Sequence, residues 1–451
     1  MEPRSVAPCT PHGAKCVAGH CVGHRLTRRS PLSASRSLED WLEYIQTVHF
    51  RSIDMSLDRV QVVLERFGGQ LSFKVLAVAG TNGKGSCAAM LGSILEACGY
   101  KVGIYTSPHL VRFNERICAT GPADDAELCL AFEEIELLRG GVPLTYFEFA
   151  TLAAVHIFQK RGVDVAVMEV GMGGRLDAVN ALSIDASLIT NVELDHMQWL
   201  GKDREAIGYE KAHIMRGGHW SVYNGASPPR SLLDYAARIG TRLLLAGRDY
   251  RHEATGNEWR WYGPKGEVWT LERPPIPGAV QTVNAAGVLA LLTAWEEVEI
   301  DRDGAARGLA NTHIRARCEM IAREPMVVID VSHNLSAVQT LSDYLAVNRV
   351  AGRTTAIFGM LKDKDPLAAA RIMNPHVDAW CLATIGGERG QEAGELSDSI
   401  AHTVRGTVHC HGSAGEAYEC ALRHSGAKDR IVGFGSFHIA GDILAHMTRP
   451  S

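Results

Sequence analysis

An apolar run, Val75-Leu76-Ala77-Val78-Ala79, breaks into Gly80-Thr81-Asn82-Gly83-Lys84-Gly85-Ser86 and continues as helix-compatible sequence from Cys87 to Cys98. This strand, glycine turn and helix constrain the fold more than any other segment. Glycines let the backbone curl until several N–H groups point at one anion. The helix start adds the positive end of its dipole, and Lys84 adds a full charge. The segment is therefore expected to hold nucleotide phosphates through Gly80, Thr81, Asn82, Gly83, Lys84, Gly85 and Ser86. Its spacing departs from the common phosphate loop, which needs a glycine at the place of Val78. That departure points to a particular branch of ATP-using enzymes.

The chain has 451 residues, too many for one ordinary domain. Its hydrophobic share of 46% with 22% charged residues is that of a soluble globular protein. A net charge of −5 argues against a nucleic-acid footprint, which would be basic. No apolar run approaches the ~18 residues that span a bilayer, so no membrane partner is expected. The 11 cysteines are scattered, which suits reduced thiols in the cytoplasm better than a disulfide framework. Residues 1–36 differ from the rest, with Pro3, Pro8, Pro11 and Pro31, many Ser and Arg, and no apolar periodicity. They are expected to form a disordered extension. Cys9, His12, Cys16, His20, Cys21 and His24 would also permit zinc there, and the Arg and Ser content a targeting role.

From Leu38 onward, helical spacing gives way to alternation. Buried parallel strands are expected at Val75–Ala79, Val102–Tyr105, Val165–Val170, Ala186–Asn191 and Leu243–Ala246, with helices such as Ala126–Leu138 and Phe147–Gln159 between them. A second set follows at Met326–Val331, Thr354–Phe358, Ala379–Ala383 and Arg430–Phe434. Pro274-Pro275-Ile276-Pro277-Gly278 is a stiff connector into a helix over Val283–Trp295. The fold class is α/β: a doubly wound, P-loop ATPase-type domain over 37–312 and a smaller Rossmann-like domain over 313–451.

Ligands of such sheets bind at the carboxyl ends of the strands. Four consecutive strand ends here are polar or glycine-rich: Gly80–Ser86, Thr106-Ser107-Pro108-His109, Glu169 through Asp177, and Thr190 through His196. Packing alone does not explain four in order. Magnesium takes oxygen ligands and bridges phosphates, which suits the Ser107 hydroxyl and the Glu169 carboxylate. His196 is a less usual magnesium ligand. Taken singly, each has a plainer reading: Glu169 as a cap or ion pair, His196 as a core histidine, Ser107 as a turn residue, Lys84 as an exposed helix start.

These residues carry a resemblance. Gly80–Ser86 resembles the phosphate loop of the Mur ligase superfamily. Tyr105 through Arg116 narrows it to the folylpolyglutamate synthase and dihydrofolate synthase family. Glu169–Asp177, Leu194-Asp195-His196, Asp330-Val331-Ser332-His333-Asn334, Gly359 through Asp365 and Gly435-Ser436-Phe437-His438 also fit, over roughly 38–446. The resemblance implies an ATP-dependent ligase of folate biosynthesis that joins L-glutamate to a carboxylate through an acyl phosphate; the net charge and the lack of a long heptad permit a monomer, and the scattered thiols suit the cytoplasm. It implies ATP and Mg²⁺ as cofactors, with two metal sites, and assigns no role to potassium. Ser107, Glu169 and His196 would be metal ligands, and Lys211 the lysine that becomes carbamylated and holds the second ion. Lys84, His196 and Lys211 would carry catalysis. Asn284, Arg317 and Asp330 would contact ATP, and His333 would face the cleft on the glutamate side.

Thr145, Phe147, Asp177 and Arg112 would bind the pterin or folate. Phe147 can stack on a pterin and Asp177 can accept its N–H groups, although Phe147 also suits a helix core and Asp177 a turn cap. The forms of Thr145–Phe149 and Arg175-Leu176-Asp177 look like bifunctional members, which make dihydrofolate from dihydropteroate and then extend reduced folates. A chain with only the polyglutamate-adding activity is the alternative. A cell-wall precursor ligase and a non-enzymatic nucleotide switch are the more distant readings. The chain departs from the family pattern at Leu335, where proline is usual, and at Ala316 and Cys318, where glycine and an aromatic are common.

Overall fold

β1, Lys74–Ala79, shows why this chain builds layers. Val75, Ala77 and Ala79 face one core while Leu76 and Val78 face another. A strand buried on both faces must lie in the middle of a sheet covered by helices. The computed structural model describes residues 36–51 and 53–448, so the expected extension, zinc cluster and targeting role of the first segment lie outside the described residues.

β1 is followed by β2 (Val102–Tyr105), β3 (Ile117–Ala119), β4 (Val165–Glu169), β5 (Ala186–Ile189), β6 (Trp220–Tyr223) and β7 (Arg242–Leu245). They form a seven-stranded sheet in the order β3-β2-β4-β1-β5-β6-β7. All neighbours are parallel except β2 and β3. The chain winds one way from β1 and then the other, so the crevice opens at the carboxyl end of β1. Helices Leu38–Thr47 and Tyr146–Arg161 pack on one face. Helices Lys84–Ala97 and Val280–Ala294 pack on the other.

Three antiparallel strands, β8 (Arg251–Thr255), β9 (Glu258–Tyr262) and β10 (Val268–Glu272), form a small separate sheet. Trp259 and Trp261 of β9 are fully buried beneath it. A last sheet of six strands has the order β11-β12-β16-β13-β14-β15. These are β11 (Glu319–Arg323), β12 (Met326–Ile329), β13 (Thr354–Phe358), β14 (Ala379–Ala383), β15 (Thr407–His411) and β16 (Arg430–Phe434). Only β11 runs antiparallel.

Each buried parallel strand expected from the sequence is present. β3, β6, the antiparallel trio, β11 and β15 were not expected. β3 has only three residues, and β15 reads Thr-Val-His-Cys-His, an edge strand without an apolar pattern. The described residues from 37 onward form one compact unit. Among them no helix is long and apolar enough to cross a membrane.

Candidate active site

The loop after β1 is shaped by its neighbours. Gly80 sits at φ 144°, and a Cβ there would come within 1.8 Å of Thr190 Oγ1. Gly83, at φ 85°, caps helix Lys84–Ala97 in the left-handed region. Asn191, at the end of β5, accepts the N–H of Asn82 at 3.0 Å and that of Thr81 at 3.2 Å through Oδ1. The Lys84 ammonium is folded back into this turn and donates to the carbonyls of Gly80 and Thr81, each at 3.2 Å. Such a turn presents N–H groups and one cation to the space in front of the helix.

That space is a cavity of about 400 Å³. The phosphate loop lines it together with Ser107, Glu169, His196, Asn284, Arg317, Asp330 and His333. The expected nucleotide and metal residues other than Gly80 and Lys211 are thus brought to one place from both large sheets. Glu169 is buried and accepts the Ser107 N–H at 3.1 Å. Burial pushes its carboxyl above the ordinary value, and the nearby Lys84 charge pulls it part of the way back. His196 adopts a left-handed backbone at φ 50°. Burial holds its imidazole down at about pKa 4, so the ring is neutral at pH 7 and keeps a lone pair. Ser86 Oγ, on the first turn of the helix, is shut off from solvent and has no hydrogen-bond partner. An orphaned hydroxyl beside a buried carboxylate and a neutral imidazole fits a divalent cation carried with a nucleotide phosphate.

Lys211 lies behind the loop. Its side chain is buried and donates from Nζ to the Gly80 carbonyl at 2.8 Å. Burial, reinforced by the Lys84 charge, brings its pKa down to about 7. Near neutrality a substantial fraction is therefore free amine, the form that reacts with carbon dioxide.

Asn284 is buried and its side chain touches the position a Gly83 Cβ would fill. Arg317 is placed over the Phe437 ring, 5.5 Å from its centroid. Both Asp330 oxygens are engaged by backbone, accepting N–H groups from Cys318 at 2.8 Å and Ser332 at 2.7 Å. Asp330 therefore shapes the connection that carries Arg317. Ala316 and Cys318 both take positive φ there, at 54° and 47°. This is the conformation in which glycine is the unstrained residue.

A second cavity, of about 290 Å³, holds Thr145, Phe147 and Asp177 with Met55, Arg116 and Trp199. Phe147 leans on Tyr105, ring centroids 5.9 Å apart. Asp177 accepts N–H groups from Met172 and Val179, both at 3.0 Å, and burial raises its carboxyl to about pKa 6. Thr145 also caps its helix, receiving the Glu148 N–H at 3.3 Å. The two cavities share Ser107, Pro108, Gly171, His196 and Arg389.

Arg112 is not part of this cavity. Its guanidinium is exposed and pairs with Asp125 at 2.9 Å, on the rim of a different surface hollow. The cause is Glu115, whose carboxylate collects the N–H groups of Leu110, Val111 and Arg112 and turns the segment outward. Arg116 takes the inward place instead, over the Tyr146 ring at 5.5 Å.

Asp195 was not singled out from the sequence, although its motif was. It is the point where the sheets meet. Lys364 forms an ion pair with it. Asn334 donates to it at 3.0 Å, and His333 Nε2 lies 3.6 Å away, its other nitrogen 2.9 Å from the Val331 carbonyl. Burial pushes this carboxyl up, but His333, His196 and Lys364 outweigh it and hold it well below the usual carboxylate range.

Residues 78–291 match the Mur ligase middle domain, and residues 316–437 match the glutamate ligase domain of Mur ligases. The dihydrofolate synthase/folylpolyglutamate synthase of Escherichia coli strain K12 is 36% identical over 421 residues, 93% of this chain and 97% of that one. The structure of E. coli FolC in complex with DHPP and ADP is similar with a TM-score of 0.86 at 35% identity, over 92% of this chain and 98% of that chain. The Yersinia pestis bifunctional enzyme complexed with AMPPNP and Mn ion gives 0.85 at 34% identity, over 92% and 99% of the two chains.

Proposed function

The chain belongs to the dihydrofolate synthase/folylpolyglutamate synthase family, and on that premise we propose how its residues divide the work of an ATP-dependent amide-forming ligase. It joins L-glutamate to the carboxylate of 7,8-dihydropteroate, giving dihydrofolate, and adds further glutamates to reduced folates. The observation that carries this reading is the junction of the two cavities at Ser107, Gly171 and His196. There a phosphate-holding loop opens onto an aromatic- and carboxylate-lined chamber.

The γ-phosphoryl group of ATP passes to the substrate carboxylate, which breaks the bond to the β-phosphate and leaves ADP. The glutamate amine then attacks the acyl carbonyl, and phosphate departs. Little covalent work falls on the protein, which positions groups and neutralises charge. Gly80–Ser86 hold the phosphates, with Lys84 on the transferring group. Ser107, Glu169 and His196 would hold one divalent ion and carbamylated Lys211 a second; the ions supply charge neutralisation on the phosphates. Asn284, Arg317 and Asp330 serve the nucleotide. Phe147 stacks on the pterin, Asp177 accepts its N–H groups, and His333 faces the incoming glutamate. We read 37–312 and 313–451 as two domains closing on this cleft in a cytoplasmic monomer.

Phosphate release with ATP, Mg²⁺ and L-glutamate tests this when run separately with dihydropteroate and with a reduced folate monoglutamate. Turnover with both is expected. Turnover with folate alone would reduce the activity to polyglutamate addition and leave Phe147 and Asp177 as structural residues.

Asp177→Ala should impair dihydropteroate use more than folate extension, and equal losses would remove its pterin role. With a carboxyl pKa near 6, Asp177 becomes a neutral acid as pH falls, losing one acceptor. The KM for dihydropteroate should therefore rise below about pH 6, a limb absent from Asp177→Asn.

The Lys211 amine needs carbon dioxide to become a carboxylate-like ligand. Turnover should fall about tenfold in carbon-dioxide-free buffer, by analogy with loss of a metal-supporting group, and return with bicarbonate. Rates indifferent to bicarbonate in exhaustively purged protein would leave Lys211 an amine.

A further inference from the structure

β14 and β15 pair in parallel at the edge of the six-stranded sheet, and helix Ala414–Arg423 packs against both. Here three side chains with no part in the ligase chemistry converge. Cys381 lies in the middle of β14, His411 ends β15, and Cys420 is in the last turn of the helix. One donor atom of each lies within 4.8 Å of the other two. Both cysteines are buried free thiols. His411 Nε2 is shut off from solvent and has no hydrogen-bond partner. A buried polar nitrogen without a partner is unfavourable and calls for an explanation.

Two sulfurs and an imidazole, with no carboxylate among the three donors, are the set preferred by a thiophilic cation such as zinc and refused by magnesium or calcium. In a tetrahedral zinc centre the Zn–S bonds of about 2.3 Å place two sulfurs about 3.8 Å apart. Contraction to that spacing asks each side chain to move by less than about 1 Å. His424, one helical turn beyond Cys420, has Nδ1 2.8 Å from the Cys420 carbonyl and 3.8 Å from its Sγ. It can hold the helix end and support the thiolate without being a ligand.

We propose that Cys381, His411 and Cys420 form a zinc site, completed by water, on the side of the sheet edge and apart from the ATP cleft. Binding releases the two thiol protons to solvent and joins the sulfurs and Nε2 to one Zn²⁺; no oxidation is involved. The ion ties the exposed edge strand β15 to the helix that covers it. This does not depend on the ligase reading.

The test uses the full chain, reduced and stripped of metal with a chelator, and Co²⁺ as a spectroscopic probe. Expected are cobalt–thiolate charge-transfer bands with tetrahedral d–d absorption, bleached by Zn²⁺, and a rise in Tm with Zn²⁺. Cys420→Ser and His411→Gln should each weaken Zn²⁺ binding by more than about 100-fold while ATP-dependent phosphate release is unchanged. His411→Gln lies on a half-exposed edge and keeps the test open if Cys420→Ser does not fold. Because Cys9, Cys16 and Cys21 can also bind cobalt, each signal is scored as the difference between parent and variant. Bands that survive in His411→Gln with unchanged affinity overturn the proposal. So does a Cys381–Cys420 disulfide whose reduction restores no zinc uptake.

Discussion

Replacing Lys84 with alanine should lower turnover with either acid substrate by about 10³-fold or more and leave the protein folded. The ammonium is the only side-chain charge within the phosphate loop, and it already bonds two loop carbonyls at 3.2 Å. On the proposed reading it would exchange those contacts for the transferring phosphoryl group. Its removal takes a cation from a cavity wall and leaves no hole in the core, so the thermal midpoint should move little. Lys84→Arg should not restore the rate, since a planar fork cannot occupy the place of a compact point charge in so tight a turn. Phosphate release and thermal unfolding on the same samples decide it. Retained turnover would mean that the loop has been misassigned.

Asp195→Asn should have a comparable effect on rate and a larger one on stability. The substitution keeps the shape but removes the nearer carboxylate from the Lys364 ammonium, whose side chain is only 7% exposed. Asp363, 3.6 Å away, is the other carboxylate near it. Breaking a buried pair from one side costs about 3–5 kcal/mol. Turnover should fall about 10²-fold or more, because misplacement of groups across the cleft is expensive for positioning catalysis. The double variant Asp195→Asn/Lys364→Met separates the two effects. It should recover stability, since no buried charge is left unpaired, and should not recover turnover. Recovery of both would show that the pair matters for folding alone. The acid side carries a sign of its own. A carboxyl held below its unfolded value contributes stability above about pH 4. That contribution is lost only as the pH falls further toward the folded value, so the wild-type advantage over Asp195→Asn should shrink only in strong acid.

What could be seen in advance followed the burial of strands. Parallel strands covered on both faces are near-continuous apolar runs, and β1, β4, β13 and β16 are of that kind. β15 and β11 lie at sheet edges, half exposed, and carry polar residues that no local pattern marks as strand. The site divided in the same way. Lys84, Glu169 and Asp177 stand at or beside strand-end turns whose composition is odd in itself. Asp195 and Lys364 acquire meaning only from a pairing across 169 residues, which no local spacing reports. Arg112 misled because it neighbours a true strand-end loop. Its direction is set by a cap that Glu115 builds on three backbone N–H groups, leaving Arg116 to face the chamber.

Asn82, in the phosphate loop, and Asn334, at the start of helix Leu335–Val347, exchange two amide hydrogen bonds of 3.1 and 2.9 Å. One partner answers to nucleotide, and the other belongs to the sheet that would carry glutamate. Whatever one ligand does to this handshake, the other must feel by the same factor, because the coupling free energy between two sites is reciprocal. A hydrogen bond contributes about 1 kcal/mol net, so the two together can transmit at most roughly a thirtyfold change in affinity. Occupancy by ATP would then set the apparent affinity for the amino acid, and the amino acid would tighten ATP in equal measure. Were both ligands to favour the paired amides, a half-loaded enzyme, in which an activated acid would meet water before it met an amine, would be disfavoured.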